Sequence, residues 1–190
     1  MKDIKNIIIA VLTVILLIIG IRFCINIFKD DEPNFNYINS QIAKSDELTT
    51  AKLRLRGIYN FKDKGTKIIS RADFTMIYTA TVRIGVELKD VEVTSNEITK
   101  KIIVKIPEAK VLEAKVEQND IEYHDEKFAL FNFDSKEDAN RAAAEAEKDA
   151  KIQAEKSGVI EYAQTEAEAV IKNLIYPAIP KDYKIVIERN

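Results

Sequence analysis

An uninterrupted apolar stretch near the start of the sequence constrains the fold more than any other feature. It runs from Ile7 to Phe28, and between Ile7 and Ile21 it contains no charged residue and only Thr13 as a polar one. A helix of about 20 apolar residues can cross the hydrocarbon core of a bilayer. A helix also satisfies its own backbone hydrogen bonds in lipid. The sequence therefore predicts one transmembrane helix over Ile7–Phe28, with the lipid bilayer as its partner.

The residues around this stretch predict an uncleaved signal anchor. The basic start, with Lys2 and Lys5, is typical of an export signal. The sequence after Ile19, GIRFCIN, lacks the small residues that a cleavage site needs, and Cys24 follows bulky residues rather than those of a lipoprotein signal. Basic residues flank the stretch almost equally. Because the tail before it is short, we expect a cytoplasmic N-terminus and an extracytoplasmic domain at the cell membrane.

The composition of the remaining chain excludes some partners. Of 29 basic and 31 acidic residues, four basic and one acidic lie in the first 29 positions, which leaves 25 and 30 for the rest. A net charge of −5 argues against nucleic acid, whose phosphates attract a basic surface. The single cysteine excludes an intramolecular disulfide. After the anchor, the 190-residue chain has room for one domain.

Alternating apolar positions predict a sheet. The clearest alternation runs from Phe74 to Ile84 and is rich in threonine between the apolar positions, so we interpret it as a core strand rather than a binding edge. Gly85 is expected to end it or to form a bulge. An earlier pattern over Leu53–Phe61 is interrupted at Gly57. Further short alternations predict strands at Ile102–Ile106 and Tyr183–Ile187.

The period changes to that of a helix after residue 133. Asp134–Glu137 resembles a capping box, and alanines follow at helical spacing: Ala139, Ala143, Ala146, Ala150 and Ala154. A second helical stretch covers about Val159–Ile175. Ser157 and Gly158 lie between the two, and the sequence leaves open whether they form one kinked helix or a hairpin.

These patterns together predict an α+β fold: a transmembrane helix, then one domain with a mainly antiparallel sheet and two C-terminal helical stretches, ending in a strand. The division of the chain is a tail over residues 1–6, the anchor over 7–28, a spacer over 29–47 and the domain over 48–190.

Four short segments, in this order and spacing, resemble the DUF4230 family: GVELKDV from Gly85, IIVKIPEA from Ile102, SGVIEYA from Ser157 and KIVI from Lys184. The resemblance covers about Leu48–Ile187, with Glu87 at a position where the family pattern has aspartate. It implies a bacterial protein with one N-terminal transmembrane helix and an uncharacterised domain. It implies no activity and no catalytic residues.

The residue types suited to catalysis or metal binding are sparse. Glu122, His124 and Glu126 would share one face of a strand, but His124 is the only histidine, and a metal site needs three or four converging ligands. A nucleophilic site needs a serine or cysteine beside a base, and Cys24 lies in the anchor. We therefore predict no catalytic, cofactor-binding or metal-binding residue and no cofactor.

The resulting hypothesis is a non-enzymatic binding or scaffolding module at the cell envelope. One alternative is an envelope hydrolase that uses carboxylates or a metal at His124. Another is an oligomeric scaffold with a layout like that of the band-7 proteins. The alternatives for a protein partner are an envelope protein and a second copy of the chain, which would associate through the Ala139–Ala154 helix. The simpler interpretation of that helix is that its alanines pack on the sheet.

Overall fold

The structure is a computed structural model that describes residues 11–22, 32–62, 73–124 and 135–190. The chain divides into two compact units, Met1–Pro33 and Asn34–Asn190. In the first unit, residues 11–22 are helical (α1) and all exposed. Over the described ranges, no helix has the length and hydropathy that a membrane span requires. Residues 7–10 and 23–28 of the predicted span lie outside these ranges.

The second unit, called the domain from here on, contains three helices and seven strands in the described residues. They are α2 (Phe35–Ile42), β1 (Glu47–Lys62), β2 (Asp73–Glu87), β3 (Glu92–Asn96), β4 (Lys101–Ile106), β5 (Lys110–Val116), β6 (Glu122–His124), α3 (Ser135–Lys156), α4 (Val159–Ile175) and β7 (Lys184–Arg189). The predicted α+β class, with helices late in the chain and a strand after them, is confirmed.

The domain begins at Asn34, within the range that the sequence division assigned to a spacer. The side chain of Asn34 caps α2 by accepting a hydrogen bond from the Tyr37 backbone N–H, 3.0 Å away. The apolar side of α2 buries Ile38 and Ile42, and the helix packs against α4. Residues from Asn34 onward therefore contribute to the core of the domain.

The larger sheet is organised around β2. β1 pairs with one edge of β2 and β5 and β6 with the other, all antiparallel. The predicted alternation along β2 is confirmed, because five alternate side chains are fully buried: Met76, Tyr78, Ala80, Val82 and Ile84. One face of this sheet thus carries the core, as a strand pattern of period two requires.

Gly57 of β1 and Gly85 of β2 each lie where another residue approaches closely. β1 continues through Gly57, so the predicted interruption there is wrong. A Cβ at Gly57 would stand 2.4 Å from Cζ and Oη of Tyr78. Because glycine has no Cβ, the phenol ring can pack directly against the backbone of β1. The predicted end of β2 at Gly85 is wrong, because β2 continues to Glu87. The irregular register beside Gly85 lies in β1, between Thr49 and Ala51.

A second, smaller sheet has the order β3-β4-β7. β3 is antiparallel to β4, whereas β7 runs parallel to it, with Ile102 beside Ile185 and Val104 beside Ile187. The final strand therefore returns to a separate sheet and not to the one built around β2. A parallel pair needs a long connection, and here α3 and α4 lie within it.

α3 and α4 are separate helices. Gly158, between them, has a φ of 77°, a left-handed conformation that favours glycine. α3 packs on β1, β2 and β5, and α4 packs on β1 and β2. The fully buried alanines of α3 are Ala142, Ala146, Ala150 and Ala154. The predicted Ala146, Ala150 and Ala154 are confirmed, Ala142 was not predicted, and the predicted Ala139 and Ala143 are half-buried. Asp134 of the predicted capping box lies outside the described residues.

Candidate functional site

One face of the larger sheet is left open by the described helices, and we call it the open face. Its side chains alternate with the buried ones, so neighbours across the strands share it. They are Lys52, Arg54, Arg56, Ile58 and Asn60 of β1, Thr75, Ile77, Thr79, Thr81 and Arg83 of β2, and Glu113, Lys115, Glu122 and His124 of β5 and β6.

Two arginines reach across the central strand of this face. Arg54 lies 2.8 Å from Asp120, and Arg56 lies 2.9 Å from Glu122, between guanidinium nitrogen and carboxylate oxygen. Arg56 lies on β1 and Glu122 on β6, and these strands pair with opposite edges of β2, about 10 Å apart. Asp120 lies in the 3₁₀ turn Gln118–Asp120, just before β6. The two ion pairs therefore cross β2 on the solvent side and join β1 to β6 and to the turn before it.

A third arginine, Arg83, lies at the other end of the open face. Its Nε is 2.8 Å from Glu113, and its Nη atoms approach Glu47 and the hydroxyl of Thr49. Hydrogen bonds to Glu113 raise the pKa of the Arg83 guanidinium above its ordinary value. The three arginines of the face are thus each paired with a carboxylate, and its charges are ordered and of both signs.

The predicted cluster around His124 lies at the edge of the open face. Nε2 of His124 is 3.6 Å from a carboxylate oxygen of Glu122, and both side chains are more than half exposed. Glu122 also accepts the hydrogen bond from Arg56. Within the described ranges, no three His, Cys, Asp or Glu residues are grouped so that they could hold a metal. Glu126 and Cys24 lie outside those ranges.

A buried tyrosine connects the sheet to α3. The phenol of Tyr78 donates a 2.7 Å hydrogen bond to Asp149, and the amide of Gln153 donates to the same carboxylate oxygen at 2.7 Å. Burial and the neighbouring carboxylate raise the pKa of the Tyr78 phenol above its ordinary value. The hydroxyl is therefore held protonated, as a structural donor.

Another charged cluster surrounds the end of β2. Glu87 accepts from Lys110 at 2.8 Å and from Lys89 at 3.3 Å. Hydrogen bonds from these two amines lower the pKa of Glu87 to about 2. A cleft of about 470 Å³ lies beside it, lined by Lys89, Asp90, Glu92, Pro107 and Asn190. This lining offers an amine and carboxylates but no histidine or hydroxyl nucleophile.

The arginine pairs of the open face were not among the residues predicted from the sequence. A signal was present, because Lys52, Arg54 and Arg56 alternate with apolar residues along β1. Their carboxylate partners could not be found in the same way, since Asp120 and Glu122 lie 66 residues later in the chain.

Comparison with known proteins gives one match. Residues 40–185 match the model of a family described as "Protein of unknown function (DUF4230)". No curated protein and no solved structure matches the chain. The family resemblance predicted from four short segments is thereby confirmed.

Proposed function

The chain belongs to the DUF4230 family, and we propose that it is a membrane-anchored module whose extracytoplasmic domain binds another protein of the cell envelope. In this proposal Ile7–Phe28 is a single-pass anchor with a cytoplasmic N-terminus. The domain acts by binding and scaffolding rather than by catalysis.

The proposed anchor is supported by the exposed apolar surface of α1. Nine of its twelve described residues are large and aliphatic, and each of those is between 47% and 67% exposed, whereas Arg22 stands at its end. A helix that is apolar on every side is unfavourable in water and suited to lipid. The apolar sequence continues on both sides of the described residues.

The open face supports a protein as the partner. Arginine is enriched in protein interfaces, and side chains already held by ion pairs lose less freedom on binding. Ile58, which is 64% exposed, stands opposite Ile77 and adds an apolar spot to this polar surface. Because Arg54, Arg56 and Arg83 are already paired with carboxylates, the face suits a protein surface of mixed charge better than a polyanion.

The anchor is tested by membrane extraction. The double variant Leu16→Arg, Ile18→Arg places two charges in the apolar stretch, each costing about 2.5–3.5 kcal/mol at the centre of a span. We expect it to leave the membrane fraction in alkaline carbonate, while the matched Leu16→Phe, Ile18→Phe variant stays. Equal extraction of both variants would contradict the anchor.

The side of the membrane is tested by reporters fused after Asn190. Alkaline phosphatase is active outside the cytoplasm, whereas a fluorescent protein that folds only in the cytoplasm reports the inside. We expect phosphatase activity without fluorescence. The reverse result would place the domain at the inner face and would direct the search to cytoplasmic partners.

The binding surface is tested by photocrosslinking in intact cells. A photoreactive residue at Ile58 lies on the open face, and Ile152, 47% exposed on α3, is the matched control. We expect a single protein adduct from Ile58 that is absent from Ile152 and lost in Arg54→Glu, Arg56→Glu. Adducts of equal yield at both positions, or none at Ile58, would contradict the proposed surface.

The proposed lack of catalysis is tested separately. Substrate turnover by the full chain that is abolished by His124→Ala, with the fold preserved, would overturn it and favour the hydrolase alternative. We expect His124→Ala to leave stability within about 0.5 kcal/mol, because the side chain is exposed.

A further inference from the structure

The chain enters the domain at a fixed point. The backbone N–H of Asn34 donates a 3.0 Å hydrogen bond to the carbonyl of Ala178, in the short turn Tyr176–Ala178 that follows α4. The side chain of Asn34 also caps α2. Two hydrogen bonds therefore hold the first residue of the domain between the start of α2 and the end of α4.

Two exposed tyrosines lie beside this entry point. Tyr37 is three residues after Asn34 and 38% exposed, and Tyr176 is two residues before Ala178 and 66% exposed. α2 and the Tyr176–Ala178 turn contact each other, so both tyrosines belong to one end of the domain. Tyrosine combines an apolar ring with a polar hydroxyl and is enriched where membrane proteins meet the lipid headgroups.

The sequence before the entry point is short. Six peptide steps separate Phe28, at the end of the proposed anchor, from Asn34, and they reach at most about 22 Å when fully extended. The headgroup layer on each side of a bilayer is about 5–8 Å thick. The connecting chain therefore sets an upper limit of about 22 Å on the distance between the end of the proposed anchor and Asn34.

We propose that Tyr37 and Tyr176 form a bilayer-contact surface that seats the domain in the headgroup region of its own membrane. This proposal rests on the membrane anchor of the proposed function. The lipid partner is zwitterionic, because the connecting residues 29–33 carry three negative charges against the one positive charge of Lys29 and would be repelled by an anionic surface.

The chain contains no tryptophan, so single tryptophans can report depth. The full chain is reconstituted in phosphatidylcholine vesicles with brominated acyl chains, which quench tryptophan that enters the membrane. The reporters are Tyr37→Trp and Tyr176→Trp. The matched control is Tyr162→Trp, which replaces a tyrosine 59% exposed on α4, 14 residues and therefore about 21 Å along the helix from Tyr176. A further variant, Leu16→Trp, reports the anchor itself.

We expect strong quenching of Leu16→Trp and a loss of emission from Tyr37→Trp and Tyr176→Trp at least about twofold larger than that from Tyr162→Trp. Quenching of Leu16→Trp with equal, weak quenching of the three domain reporters would overturn the contact surface and leave the anchor intact. Unquenched Leu16→Trp would overturn the anchor, and the contact surface with it. Quenching that appears only when anionic lipid is added would contradict the zwitterionic partner.

Discussion

The side-chain oxygen of Gln164 lies 2.6 Å from the backbone nitrogen of Ala109 and accepts its hydrogen bond. Gln164, on α4, is the one polar residue buried in the described part of the domain. Its amide donates to Glu168 at 3.2 Å, and Glu168 accepts from Arg189 of β7 at 2.7 Å. One side chain thus connects the segment between β4 and β5, α4 and, through Glu168, the final strand.

The first prediction concerns this connection. Gln164→Leu keeps the size of the side chain but leaves the Ala109 N–H buried without its acceptor, which costs about 1–3 kcal/mol. Urea unfolding measures the loss as a lower midpoint. Gln118→Leu, at an exposed turn position, is the control and should stay within about 0.5 kcal/mol of the wild type. Equal midpoints for the two variants would show that the Gln164 bond adds no stability.

A second prediction concerns the space between Gly57 and Tyr78. Because Tyr78 is buried and bonded to Asp149, its ring cannot move away easily, and Gly57→Ala should cost about 1–3 kcal/mol through overpacking. Tyr78→Leu removes the obstructing atoms. In a double-mutant cycle of chemical unfolding, the double variant should lose less than the sum of the single losses, by at least about 1 kcal/mol. Additive losses would contradict the proposed steric conflict.

The third prediction concerns pH. The pKa of Glu87 is about 2 in the folded chain against an ordinary 4.5, so its ionised form is favoured by folding. The stabilising contribution is complete above pH 4.5 and is lost as the pH falls from 4.5 toward 2. Carboxyl NMR titration should give a midpoint near 2.

Two lysine variants test the cause of the lowered pKa of Glu87. Lys110→Met removes the main donor and should move the Glu87 midpoint up toward 4.5, whereas Lys115→Met, on the open face, should leave it unchanged. Glu87→Gln should flatten the pH dependence of stability between 4.5 and 2. If the titration midpoint of Glu87 stayed near 2 in Lys110→Met, the lowered pKa of Glu87 would have another cause.

The fourth prediction concerns the junction of α3 and α4. Gly158 has a left-handed φ of 77°, and a Cβ there would meet open space. Gly158→Ala should therefore cost about 1–2 kcal/mol through backbone strain alone. Gly158→Asn should cost less, since asparagine tolerates this conformation. Thermal unfolding of the two variants measures the difference, and an equal cost for both would point to something other than φ.

Patterns that one element contains could be predicted from the sequence. β2 alternates because its helix-facing side is buried and its other side is open, and the alanines of α3 repeat because the helix lies close to that sheet. Both patterns follow from periodicity. In α3, however, the predicted stripe omitted the buried Ala142 and included Ala139 and Ala143, which are only half-buried. The strand at Tyr183–Ile187 was identified for the same reason.

Relationships between distant residues could not be predicted in this way. Nothing in the sequence around Gln164 indicates that its side chain accepts a hydrogen bond from the backbone N–H of Ala109, 55 residues earlier. Gly57 interrupts an apolar pattern, which is typical of a turn. In the structure it lies within β1, and the close approach of the Tyr78 ring explains why this position has no side chain. The separation into two sheets likewise depends on which strand β7 pairs with. An alternating pattern predicts that β7 is a strand but does not identify its partner.

The parallel pairing of β4 with β7 has a consequence for how the domain is made. Lys101 pairs with Lys184, 83 residues later, with both long helices in between. During synthesis, β4 can pair with β3 at once, but its second edge has no partner until α3 and α4 have been produced. Contacts over such separations are slow to form, and an unpaired strand edge attracts other chains. The interval between the emergence of β4 and that of β7 is therefore when this domain most needs protection from aggregation.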